Sequence, residues 1–74
     1  MYISINNDQR KSALTNREIE VLNLMAEGES NIEIAKNLII SSHTVKAHVG
    51  HIIYKMRAKD RVHAVAKAIR KGII

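Results

Sequence analysis

The chain contains no cysteine, proline, tryptophan or phenylalanine among its 74 residues. Without cysteine it has no disulfide framework and no cysteine-based zinc site that would hold a small fold together. Its core must therefore come from Ile, Leu, Val, Met and Ala, which suit closely packed helices. At this length the chain forms at most one domain, near the lower limit for folding alone, so a dimer interface would add to a small core.

Further absences narrow the possible functions. No apolar run approaches the length needed to span a bilayer, and residues 1–11 lack the charged start and apolar stretch of a signal peptide. The sequence has no Ser/His/Asp set, no glycine-rich phosphate loop and no nucleophile elbow. We therefore expect a cytoplasmic protein that is not an enzyme, takes no cofactor or small-molecule substrate, and does not bind a membrane.

Acidic residues are scarce in one half of the chain. Residues 1–35 hold three Lys or Arg against six Asp or Glu, a net charge of −3, whereas residues 36–74 hold nine against one, a net charge of +8. All four histidines also lie in the second half. Such a basic half is typical of polyanion-binding proteins, although a solvated basic surface is an equal alternative on charge alone.

Hydrophobic periodicity predicts an all-α fold of four helices joined by short turns. The predicted helices cover about 15–27, 31–38, 42–56 and 60–71. They lie in a domain of residues 14–74 that follows an N-terminal arm or linker, residues 1–13. The apolar positions predicted for the first helix are Ile19, Leu22, Met25 and Ala26.

Polar residues mark the starts of these helices. Thr15 with Glu18, and Ser30 with Glu33, each fit a capping box, in which the hydroxyl accepts from an amide and the carboxylate accepts from the cap's own amide. Capping explains both glutamates better than a catalytic carboxylate pair does. Ser41 or Ser42 is predicted to cap the third helix, and Asp60 the fourth. Gly28 is predicted to end the first helix and Gly72 the fourth.

The second and third helices have the pattern of a helix-turn-helix, with a helix of about two turns, a tight turn and a longer helix. Small Ala35 allows the two helices to approach closely, and Val45, ten residues further on, is predicted to pack in the angle between them.

The two sides of the third helix differ in chemistry. One side is apolar, has His48 at its edge, and must pack on the first two helices: Val45, Val49, Ile52, Ile53 and Met56. The opposite side carries His43, Lys46, Ala47, Gly50, His51 and Tyr54, and no acid lies between Glu33 and Asp60. Small residues flanked by donors let a helix lie deep in the major groove of DNA. The residues predicted to face the bases are Lys46, Ala47, Gly50, His43 and His51.

Neighbouring residues are predicted to contact phosphate. Lys36 and Lys55 would neutralise flanking phosphates, and the amide-rich N-terminus of the third helix favours anions. The predicted set is Asn31, Lys36, Ser41, Ser42, Thr44 and Lys55.

A metal site is not expected among the histidines of the third helix. His48 points toward the core edge while His43 and His51 point outward, and neither a cysteine nor a carboxylate joins them. We expect His48 to be partly buried with a satisfied ring nitrogen, and the other two to be surface donors near phosphate.

The fourth helix has a stripe of small and β-branched residues, part of which must belong to the core. The rest is suited to close helix–helix contact, so we predict a two-fold dimer that binds two half-sites about one helical turn apart. The predicted interface is Val62, Val65, Ala66 and Ile69.

The segment LTNREIEVLNLMAEGESNIEIAKNLIISSHTVKAHVGHIIYKM resembles the DNA-binding domain of LuxR/GerE/NarL-type regulators. The resemblance covers roughly residues 13–70, and the strings EIA and TVKAH occur in register. It implies a four-helix domain whose third helix reads the major groove and whose fourth helix forms the dimer contact. The base-reading positions of the family correspond to Lys46, Ala47 and Gly50. The last position is often a long basic residue in the family, so one direct contact is missing here.

The leading hypothesis is therefore a sequence-specific transcriptional regulator that binds double-stranded DNA, located in the bacterial cytoplasm at the nucleoid. Two origins remain open: a stand-alone protein of the GerE kind, or a fragment of a response regulator. The alternative function is a protein-interaction module whose basic face binds RNA polymerase or another regulator.

Overall fold

The computed structural model describes residues 14–74, and this part of the chain forms four helices and no strand. The helices are α1 (Asn16–Ala26), α2 (Asn31–Leu38), α3 (Ser42–Met56) and α4 (Arg61–Arg70). The all-α helix-turn-helix fold is confirmed. The predicted arm, residues 1–13, lies outside the described residues. No helix between residues 14 and 74 combines the length and the apolar character needed to cross a membrane.

Side-chain caps set the starts of all four helices. Thr15 and Ser30 each accept from the amide three residues later, and Glu18 and Glu33 accept from the amides of those caps, so both capping boxes are present. The third and fourth helices begin after Ser41 and Asp60, whose side chains accept from the amides of Thr44 and His63. Helices α1 and α4 are one residue shorter at each end than predicted, because those terminal residues act as caps.

The helix ends are less regular than the starts. Gly28 and Gly72 adopt the left-handed conformation predicted for them, with φ of 86° and 73°. Helices α2 and α3 end instead on Ile39 and Arg57, with φ of 57° and 54°. A left-handed β-branched residue is strained, and at Ile39 this conformation makes the sharp turn between α2 and α3.

The core lies where the four helices meet. Its largest fully buried side chains come from α1, α2 and α3: Val21, Leu22, Ile34, Ile52 and Val45. Ala35 is also buried, as the close approach of α2 and α3 requires. The first helix differs from the prediction at two positions: Ala26, predicted on the apolar side, is exposed, and Val21, which was not in the predicted set, is fully buried. The buried stripe of α1 runs through Glu18, Val21, Leu22 and Met25.

Candidate nucleic-acid interface

Helix α3 presents two different sides, as predicted. Its inward side packs on the other helices and buries Val45, Val49, Ile52 and Met56. Its outward side is exposed at every position that was expected to face solvent: His43, Lys46, Ala47, Gly50, His51 and Tyr54. The helix carries no acidic residue. The exposed side therefore offers only small, neutral and basic groups.

The N-terminus of α3 lies at one end of this side. The hydroxyl of Ser41 accepts from the Thr44 amide at 3.0 Å and donates to the Thr44 hydroxyl at 2.9 Å. Ser41, Ser42 and Thr44 are exposed, as is Lys36 in the last turn of α2. This end of the helix therefore exposes hydroxyl groups beside a positive dipole end, an arrangement that favours an anion.

Gly50 lies in the middle of the outward side and is not required by packing. A Cβ atom built at this position would meet nothing within 4 Å. The glycine therefore leaves a shallow gap in the helix surface, where a partner could approach the backbone.

Lys55, a predicted phosphate contact, is engaged within the domain. Its Nζ atom donates to Glu18 Oε1 at 2.8 Å, and the Glu18 side chain is only 4% exposed. Burial raises the pKa of the Glu18 carboxyl, but hydrogen bonds from Lys55 and the Thr15 amide and the charges of Lys55 and His51 lower it more. The net pKa lies below the ordinary value of 4.5, so the carboxylate is ionised and this ion pair links α1 to α3.

Asn31, a second predicted phosphate contact, also has a partner within the domain. Its Oδ1 atom accepts from Arg61 Nη1 at 2.5 Å, and Arg61 Nη2 donates to the Glu29 carbonyl at 2.9 Å. These hydrogen bonds of Arg61 link the start of α4 to the start of α2. Nothing in the sequence spacing of Arg61 predicted this contact.

The surroundings of His48 and His51 differ from the expectation. His48 is half-buried, but its Nδ1 atom is buried without a hydrogen-bond partner among residues 14–74, so the expected satisfied nitrogen is wrong for this atom. A carboxylate does join the histidines, because α1 places Glu18 beside them. The sequence could not indicate this, since Glu18 and His48 are 30 positions apart.

The predicted dimer residues lie on the outer side of α4. Val62 is 77% exposed and Ile69 57% exposed, while Val65 and Ala66 are half-buried. Together they line an apolar groove beside Met25. Helix α4 packs on the core through Ala64 and Ala68, which are fully buried.

The chain is similar to known bacterial transcriptional regulators. The model of the luxR family of bacterial regulatory proteins (GerE) matches residues 12–68. The uncharacterized transcriptional regulatory protein YxjL of Bacillus subtilis is 52% identical over 60 residues, which cover 81% of this chain and 28% of the relative. The transcriptional regulatory protein DegU of Brevibacillus brevis is 51% identical over 59 residues, covering 80% of this chain and 25% of DegU.

A third relative, the response regulator protein VraR of Staphylococcus aureus, is 46% identical over 61 residues, covering 82% of this chain and 29% of VraR. The chain therefore spans less than a third of the length of each of these relatives.

Proposed function

The chain belongs to the luxR family of bacterial regulatory proteins, and on that basis we propose that it regulates transcription by binding specific sites on double-stranded DNA. The observation that carries this proposal is the exposed side of α3, which has no acidic group and lies opposite a fully apolar buried side. The buried side fixes the orientation of the helix, so the residues of the opposite side face solvent. We expect the protein to act in the bacterial cytoplasm, at the nucleoid.

In this proposal α3 lies in the major groove. Lys46 reaches a base edge such as guanine O6 and N7, while Ala47 and Gly50 let the backbone approach closely. His43 and His51 donate from either side of this centre. One bidentate lysine or arginine contact with a base contributes about 1–3 kcal/mol of discrimination.

Phosphate contacts position the helix. The exposed hydroxyls of Ser41, Ser42 and Thr44 and the ammonium of Lys36 support this role. Lys55 and Asn31 are held by Glu18 and Arg61. We propose that these two residues act first as links between helices, which keep α3 in place.

We also propose that two copies bind together through α4. Val62 and Ile69 are exposed and line an apolar groove. Contact with a second apolar surface would remove these side chains from water and would therefore be favourable. A two-fold dimer would place two α3 helices on half-sites about one helical turn apart.

Selection of bound sequences from random double-stranded DNA tests these proposals together. We expect an enriched motif with two half-sites, and binding that weakens steeply as salt rises because phosphate contacts release counterions. Absence of any gel shift at low salt with folded protein would favour the alternative, a module that binds RNA polymerase or another regulator.

A further inference from the structure

Three side chains that are common metal ligands meet between α1 and α3. Each of Glu18, His48 and His51 contributes one ligand atom, and these atoms all lie within 4.8 Å of one another. The Nδ1 atom of His51 is 3.8 Å from Glu18 Oε2. In a tetrahedral zinc site with bonds of about 2.1 Å, neighbouring ligand atoms lie about 3.4 Å apart. Small rotations, chiefly of the exposed His51, would close the three groups around one ion.

The two oxygens of Glu18 have different surroundings. Oε1 accepts hydrogen bonds from the Thr15 amide at 2.9 Å and from Lys55 Nζ at 2.8 Å. Oε2 is the oxygen that faces His51. One oxygen thus accepts from the helix cap and the ion-pair partner, while the other faces His51. A cation could bind Oε2 without displacing either hydrogen bond.

The imidazole of His48 supplies an independent observation. Its Nδ1 atom is buried and has no hydrogen-bond partner within the described part of the chain. A buried polar atom without a partner costs free energy, because it has lost its contact with water. Coordination of a metal ion through this nitrogen would provide the missing partner. His48 and His51 are three residues apart on α3, so their side chains lie on neighbouring parts of one helix surface.

We propose that Glu18 Oε2 and one imidazole nitrogen each from His48 and His51 form a site for a divalent transition-metal ion of the Zn²⁺ class. Two imidazoles and a carboxylate with a water as fourth ligand are a known zinc ligand set. The ion would link α1 to α3 beside the Glu18–Lys55 ion pair. It would also draw His51 toward α1 and away from the side of α3 that is proposed to face DNA.

The test is a calorimetric titration of the untagged 74-residue chain with Zn²⁺ after treatment with a chelator. We expect one saturable site that weakens at least tenfold in His51→Ala and in His48→Gln. His43→Ala is the matched control, because it removes an exposed histidine from the same helix outside the cluster. Mg²⁺ is the control ion, since it prefers six oxygen ligands.

A thermal unfolding series separates loss of the ligand from loss of the fold. Zn²⁺ is expected to raise the melting temperature of the wild type and of His43→Ala, and to raise that of folded His51→Ala much less at the same Zn²⁺ concentration, since a ligand that binds only the native state stabilises it in proportion to how tightly it binds. The proposal is overturned if the wild type has no saturable site, if His43→Ala weakens binding as much as His51→Ala, or if His48→Gln binds like the wild type.

Discussion

Helices α3 and α4 both turn one side to solvent, but the two exposed sides have opposite chemistry. The outward side of α3 carries basic, neutral and small residues, with Lys46 and Gly50 near its centre. The outward side of α4 carries the apolar Val62, 77% exposed, and Ile69, 57% exposed. The first surface suits a hydrated polyanion, and the second suits an apolar protein surface. In the proposed function, contact with DNA and contact with another copy would therefore use different helices of one small domain.

The inward sides of the two helices also differ. Helix α3 buries large residues such as Ile52 and Met56, whereas the fully buried residues of α4 are Ala64 and Ala68. Small residues let α4 approach the core closely; Val65 packs against the core, and Val62 and Ile69 are left exposed. The apolar stripe of α4 is therefore divided between the core and the surface, whereas that of α3 belongs to the core.

Two links between helices complete the comparison. Helix α3 is held to α1 by an ion pair between Lys55 and the buried carboxylate of Glu18. Helix α4 is held to α2 by Arg61, which donates to an amide oxygen of Asn31 and to a backbone carbonyl. Only the first link depends on an ionised carboxylate, so the two links should respond differently to acid.

The largest expected effect is the loss of specific DNA binding in Lys46→Ala. Removal of a base contact of about 1–3 kcal/mol should weaken binding to a selected site roughly 5- to 150-fold, and should weaken binding to random duplex much less. Fluorescence anisotropy at fixed salt measures both affinities. Lys71→Ala removes the same charge from an exposed position after α4. Equal effects of the two variants would contradict the assignment of α3 to the groove.

Acid should release the link to α3 but not the link to α4. Because the pKa of Glu18 is lowered in the folded state, its contribution to stability is complete above the ordinary value of 4.5 and is lost as the pH falls through the lowered pKa. Glu18→Gln keeps a side chain that suits a capping box but removes the charge. We expect it to lower the free energy of unfolding at pH 7 by roughly 1.5–3 kcal/mol, the typical contribution of a hydrogen bond to a charged group.

Urea unfolding at pH 7 and at pH 3 measures this effect, and the difference between wild type and Glu18→Gln should shrink at the lower pH. Glu20→Gln is the matched control, because Glu20 forms an exposed ion pair with Arg17 and its side chain is 58% exposed. If Glu20→Gln reproduced the pH dependence of Glu18→Gln, the buried ion pair would not be the source of acid sensitivity.

Val62→Asp tests the outward side of α4. A charge at this exposed position should leave the fold intact and weaken binding to DNA with two half-sites by about tenfold, or roughly 1.4 kcal/mol, with little effect on a single half-site. Sedimentation of the protein–DNA complexes counts the bound copies. Ile32→Asp, at a 63% exposed residue on α2, is the control. If two copies of Val62→Asp bind DNA as tightly as two copies of the wild type, the dimer contact must lie elsewhere.

The smallest expected effect is a gain in stability from Gly50→Ala. Alanine in a helix is more favourable than glycine by about 0.5–1 kcal/mol, which corresponds to about 2–8 °C in the melting temperature of a domain of this size. The new Cβ meets nothing within 4 Å. Thermal unfolding without DNA measures the change. Gly28→Ala should destabilise instead, because the φ of Gly28 is +86°, and a gain there would refute the helix-end argument.

Much of the fold was predictable because its signals are local. Capping boxes at Thr15 and Ser30 mark helix starts through contacts between residues three apart, and Gly28 and Gly72 supply the left-handed conformation that ends a helix. The left-handed Ile39 and Arg57 had no such signal, since neither residue type favours that conformation. The prediction that Ala26 lies on the apolar side of α1 was wrong, because two neighbouring helical stripes fit the sequence. The packed structure buries the stripe that contains Val21.

The part of the candidate site that depends only on helical periodicity was also predictable, because that signal is local. One side of α3 had to be buried, so the opposite side, with Lys46 and Gly50, had to be exposed. The partners of Lys55 and Asn31 were missed because each lies on a helix distant in the sequence. The carboxylate beside His48 and His51 was missed for that reason as well.

By itself, the amino-acid sequence determined the four helices, the two sides of α3 and the family, because each depends on short-range spacing or on a motif read directly from the chain. The tertiary structure alone decided which cations are paired within the domain, which residues of α4 belong to the core, and that Glu18 lies beside two histidines of α3. These features depend on how distant helices pack, and no local pattern contains that information.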